Sequence, residues 1–175
     1  MKRLPGLAQI APVYAVVVMF IYGWTILRFL WKVPSWSYYL SAFEFLSILA
    51  YALVVDLLES LAILGLLVLG AALLPRRWLS DVFVSRGTAC AAIGLGLLAV
   101  CSGSLQTDAL TPLPTTVLRF WPAALAFLLA AAFYAGGASR FRSLIENLAE
   151  RAVVFLFLSI PLSLMALIVV VVRNL

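Results

Sequence analysis

Apolar residues in this chain come in runs of about twenty, the length that carries a helix across a bilayer core, and short polar breaks between them hold most of the charge. Within the runs there is no apolar/polar alternation of period two, so a membrane β-barrel is not the reading. The pattern predicts an all-α polytopic membrane bundle of about five transmembrane helices, forming a single membrane domain over 1–175. The predicted spans are about 7–31, 51–74, 87–105, 117–138 and 152–172. An outer segment, 32–50, separates the first two, and an amphipathic cytoplasmic segment, 139–151, separates the last two.

Composition agrees: 66% of the 175 residues are hydrophobic and 11% are charged, against roughly 45–50% and about 25% in soluble domains. The N-terminus "MKRLPGLAQIAPVYAVVVMF" has the basic start and apolar core of a secretory signal. It lacks a small-x-small cleavage site and runs on through Tyr22, Trp24 and Arg28, which points to an uncleaved anchor.

Orientation follows from the basic residues. With the N-terminus inside, Lys2, Arg3, Arg76, Arg77, Arg86, Arg140, Arg142 and Arg151 fall on the cytoplasmic side and Arg28, Lys32, Arg119 and Arg173 on the outer side. That bias favours N-in/C-out in the plasma (cytoplasmic) membrane. Tyr22, Trp24, Trp31, Trp36, Tyr38, Tyr39, Phe120 and Trp121 then map toward the outer interface, where amphipathic rings prefer to lie, and Trp78 toward the inner one. The net charge of +5 is spread over span ends, which suits membrane lipids and gives no patch for nucleic acid.

The stretch from Phe43 to Leu74 is apolar throughout except for its acids. As one helix it would be about 48 Å long against a core of about 30 Å, so it must tilt, break or protrude. Its outer part is expected at or above the headgroups. Glu44, Asp56 and Glu59 fall within an arc of about 120° on such a helix. Asp56 and Glu59 would lie about 8–12 Å inside the outer boundary, level with Arg28 and Arg119. Arg28, Glu44, Asp56, Glu59 and Arg119 therefore form a candidate intramembrane charge cluster. An ionisable group at that depth costs several kcal/mol unless paired or hydrated, so the acids have three readings: interhelical ion pairs, ion or proton handling, and ligand or headgroup binding.

Small residues four apart mark spans three and four as helices that touch other helices: Cys90/Gly94, Ala92/Gly96, Ala131/Ala135 and Ala132/Gly136. Gly94, Gly96, Ala132 and Gly136 are the candidate helix-packing residues. Cys90 and Cys101 lie about 16 Å apart along their helix, too far to bridge. In "SRFRSLIENLAER" Phe141, Leu144, Ile145 and Leu148 share one face, Ser143 and Glu146 fit a capping box, and Arg142 and Glu146 fit an i,i+4 pair. Pro161 is expected to kink span five.

The chain has no histidine, which removes His-ligated haem, His-containing zinc sites and Ser-His or Cys-His catalysis from its own residues. It carries no phosphate loop, no G-x-S-x-G and no H-E-x-x-H, and Asp56 and Glu59 on one helix do not make an aspartic dyad. No catalytic, cofactor-binding or metal-ligating residue is assigned, and no cofactor is expected. The sequence points to a non-catalytic structural or accessory subunit that assembles with other membrane protein subunits or with itself. A small transporter or channel using Asp56 and Glu59 is the alternative. The topology has a direct check: a cysteine placed at Thr107 reacts with an impermeant thiol reagent in intact cells and one at Ser80 does not, whereas equal or reversed labelling overturns the orientation.

Overall fold

Gly6 leaves the chain in extended backbone, and helix α1 begins at the next residue, running Leu7–Trp36. The computed structural model describes residues 6–73, 82–107, ten helical residues between 122 and 134, and 138–175. After a short turn at 37–41, α2 covers Ala42–Leu73. Then come α3, Phe83–Thr107, the amphipathic α4, Ser139–Ala152, and α5, Val154–Asn174. Among the described residues there is no strand. The chain is an all-α membrane bundle. Helices α1 and α2 and the stretch Phe141–Asn174 are long and apolar enough to cross a membrane, and Phe83–Ala99 is a shorter apolar helix. Half of the predicted fourth span, with Arg119, Ala132 and Gly136, lies outside the described residues.

The turn after Trp36 falls later than the apolar pattern predicts, because α1 continues through Pro34 to Trp36. Helix α2 is likewise unbroken from Ala42, so of the three outcomes open to a 32-residue apolar helix a break is ruled out. Its first turn explains this. Ser41 precedes the helix, and both its backbone N–H (2.7 Å) and its hydroxyl (2.8 Å) donate to Glu44 Oε2. The carboxylate at the third helical position thus reaches back to the capping residue and satisfies an otherwise orphaned donor. Above this turn the rings of Phe29, Trp36 and Phe45 meet at 6.1–6.4 Å between centroids and tie the end of α1 to the start of α2.

Helix α1 is the axis of the bundle. Val13, Ala15, Val16, Val17, Val18, Ile21 and Tyr22 are all buried. They belong to three apolar clusters that reach Leu53 and Ala71 on α2, Phe83 and Ala91 on α3, Ala149 and Ala152 on α4, and Ala166 on α5. Small residues on the surrounding helices allow this close approach, which supplies packing in a solvent where apolar burial supplies little.

Tyr22 is buried between helices. Its hydroxyl lies 2.6 Å from Ser163 Oγ on α5, and Ser163 donates to the Ser159 carbonyl at 2.7 Å, so Tyr22 is the donor. Tyr14 repeats the arrangement on α2, donating to Ser60 (3.3 Å), which donates to the Leu57 carbonyl (2.9 Å). Pro161 sits inside α5 without ending it.

Helix α4 begins at Ser139 with no side-chain cap, so Ser143 and Glu146 are interior residues and the predicted capping box does not form. The predicted Arg142–Glu146 pair does, at 2.9 Å. The apolar arc of α4 is divided: Ala149 and Ala152 are buried on α1, while Phe141, Leu144 and Leu148 are exposed.

The Tyr22–Ser163 link predicts that Ser163→Ala lowers stability in detergent by about 1–3 kcal/mol, since a buried donor loses its acceptor. Adding Tyr22→Phe recovers part of that, with a coupling of about 0.6–1.7 kcal/mol. Strictly additive losses in thermal unfolding would remove the link from the account of how α5 is held.

Candidate intramembrane acid site

Asp56 and Glu59 are three positions apart, which turns them about 60° from each other on α2. That offset gives the two acids different surroundings. Asp56 points inward and is 4% exposed. Thr25 on α1 donates its hydroxyl to Asp56 Oδ1 at 2.8 Å. Asp56 Oδ2 is buried with no hydrogen-bond partner among the described residues. Glu59 is on the exposed side of the helix.

Glu59 and Arg28 share the wall of a groove of about 590 Å³ between α1, α2 and α3. Trp24, Thr25, Ala62 and Leu95 contribute to the rest of its lining, so a cation and an anion stand on mostly apolar walls. The Arg28 guanidinium lies over the Trp24 ring, 4.8 Å from its centroid. Among the described residues the ion pair present is Arg142–Glu146. Asp56 and Glu59 are not in ion-pair contact with Arg28, and the carboxylate of Asp56 is met by a neutral hydroxyl instead. Glu44 stands apart from both acids, at the helix cap.

Of the candidate packing glycines, Gly94 faces Leu129 and Gly96 faces Phe20 of α1. A Cβ at either would sit 3.6 Å from Leu129 Cδ2 or 3.8 Å from Phe20 Cε1. Those are ordinary contact distances, so alanine fits at both positions and a larger side chain must displace the neighbour. Arg86 and Cys90 on α3 also reach the same neighbouring segment: Arg86 lies over the Phe133 ring at 4.3 Å, and the Cys90 thiol is 3.9 Å from the Leu129 carbonyl. Among the described residues no group of three or more His, Cys, Asp or Glu side chains is placed to hold a metal ion.

No family model, curated protein or solved structure matches this chain. The reading of the site therefore rests on its own residues.

Sequence patterning located Asp56 and Glu59 but not Thr25, Ser60 or Ser163. Their signal was a hydroxyl in an apolar run, which is common where helices hydrogen-bond to each other in lipid. The geometry predicts that Thr25→Val costs about 1–3 kcal/mol, because it leaves a buried carboxyl without its donor. Thr25→Val combined with Asp56→Leu restores much of the loss in a thermal-unfolding cycle. A coupling of Asp56 to Arg28 larger than its coupling to Thr25 would return the ion-pair account.

Proposed function

We propose that the chain is a non-catalytic integral membrane subunit of the plasma (cytoplasmic) membrane that assembles with another membrane protein along the exposed face of α2. The observation that carries this reading is Glu59, an acid on an apolar helix face with no hydrogen-bond or ion-pair partner among the described residues. A carboxylate facing lipid there costs several kcal/mol, and a donor or cation on an adjoining helix offsets that cost. Val55, Leu58, Ala62, Gly65, Leu66 and Leu69 share the exposed side with it. Gly65 adds support: a Cβ there would meet nothing within 4 Å. A helical glycine costs about 1 kcal/mol relative to alanine, and packing among the described residues gives no reason for it, whereas close approach of a second helix does.

A second reading, a small transporter or channel using Asp56 and Glu59, draws its support from the buried Asp56 oxygen that has no hydrogen-bond partner. One set of variants separates the two. In native purification from mild detergent, a second integral membrane protein co-migrates with the wild-type chain, and Glu59→Gln reduces its retention at least about tenfold, as loss of a charged hydrogen bond implies. A chain that migrates alone, or an unchanged complex in Glu59→Gln, overturns assembly through this face. If Asp56→Asn and Glu59→Gln instead abolish ion flux in proteoliposomes and leave the complex intact, the transport reading takes its place.

A further inference from the structure

A second cleft, of about 420 Å³, lies where α1, α3, α4 and α5 converge, and it meets the acid groove at Phe20. Its walls are apolar, with Val16, Phe20, Ala92, Leu148 and Phe155 among them, and two polar side chains join them, Thr88 and Arg151. Thr88 is 5% exposed, and its hydroxyl is buried without a hydrogen-bond partner among the described residues. Arg151 is exposed and forms no ion pair among the described residues.

The position of Arg151 is fixed by α5. The apolar run that follows it, from 154 to 172, is about 28 Å long as a helix, close to the roughly 30 Å of a hydrocarbon core. Arg151 therefore stands at one hydrocarbon boundary and Arg173 at the other. Helix α4 leads into that boundary with Phe141, Leu144 and Leu148 exposed beside the cleft, the arrangement of a helix seated among headgroups and upper acyl chains. An apolar cleft with a cation at the headgroup level and an unsatisfied hydroxyl in its wall offers a complement to each chemical part of one molecule.

We propose that this cleft seats an anionic phospholipid, with one acyl chain between α1, α3 and Phe155, the phosphate on the Arg151 guanidinium and an ester carbonyl accepting from the Thr88 hydroxyl. The volume falls within the range of about 300–1,000 Å³ found for small-molecule sites. A guanidinium matches a phosphate through paired N–H donors. The ester carbonyl also removes the penalty of a buried hydroxyl that has no acceptor among the described residues. Phe20 lines both this cleft and the acid groove, but the cleft's walls come from α1, α3, α4 and α5, so nothing in it depends on the α2 face being an interface.

The test uses the purified full chain reconstituted in phosphatidylcholine bilayers with and without phosphatidylglycerol, with lipid binding followed by native mass spectrometry and by thermal stability. Wild type retains phosphatidylglycerol and melts higher in its presence. Arg151→Gln weakens retention about fivefold, and Thr88→Val weakens it roughly two- to tenfold. Thr88→Val leaves stability in phosphatidylcholine unchanged or raised, so its effect is not one of misfolding. Ala92→Leu, which fills the cleft, removes retention. Arg142→Gln, an exposed cation on the same helix but outside the cleft, leaves retention intact. Equal retention of both lipids by wild type overturns the proposal, as does equal weakening by Arg142→Gln and Arg151→Gln, which would mean diffuse surface attraction. If inorganic phosphate alone reproduces the rise in melting temperature, the occupant is a free anion and the lipid assignment falls.

Discussion

Three hydroxyl groups on α1 hold the bundle together, because in a hydrocarbon solvent a polar side chain must find its partner inside the protein. Tyr14 donates to Ser60 and Thr25 to Asp56, both on α2, and Tyr22 donates to Ser163 on α5. The three lie within about 80° of one another around α1, so one face of the axial helix grips two neighbours. The serines pass the bond on to their own helix carbonyls, so the two tyrosine links end on backbone and the Thr25 link ends on the Asp56 carboxyl. Valine and alanine fill the spaces between these links.

The same constraint gives the two acids opposite roles. Asp56 is turned into the bundle and takes its hydrogen bond from a neutral donor, which leaves its second oxygen without one. Glu59, less than one turn further on, emerges at the surface beside Arg28 and Ala62. A buried acid with spare capacity and an exposed acid on an apolar face are different chemical offers, although their spacing on the helix makes them look like a pair. Glu44 makes neither offer, since both of its bonds go to Ser41.

Length sets the vertical arrangement. Helices α1 and α2, at 30 and 32 residues, are about 45–48 Å long and exceed a bilayer core, whereas the apolar part of α5 matches it. Asn174 donates to the Tyr51 hydroxyl at 2.6 Å, which sets the end of α5 level with Tyr51 and leaves the first turns of α2 beyond it. At the opposite end the excess length of α1 is covered by α4, packed on Ala15 and Val16 through Ala149 and Ala152. The acid groove and the Arg151 cleft both run between α1 and α3 and meet at Phe20, the groove extending toward Arg28 and the cleft toward Arg151.

The all-α membrane class and the amphipathic nature of 139–151 were set by the sequence alone, because hydrocarbon thickness and backbone hydrogen bonding leave a run of about twenty apolar residues one common solution. The Arg142–Glu146 pair was equally legible, being a matter of local spacing. The Ser41–Glu44 cap could have been read from S-x-x-E, but the charge balance drew Glu44 toward the other acids. What only the tertiary structure decided was which polar groups meet. Thr25 with Asp56, Tyr22 with Ser163, the division of the α4 arc and the convergence of Thr88 with Arg151 all depend on how helices are rotated against one another. In lipid an apolar face gives no information on that rotation, since lipid and protein are equally good solvents for leucine, and the choice passes to a few hydroxyls and small residues whose partners lie up to 141 positions away in the chain.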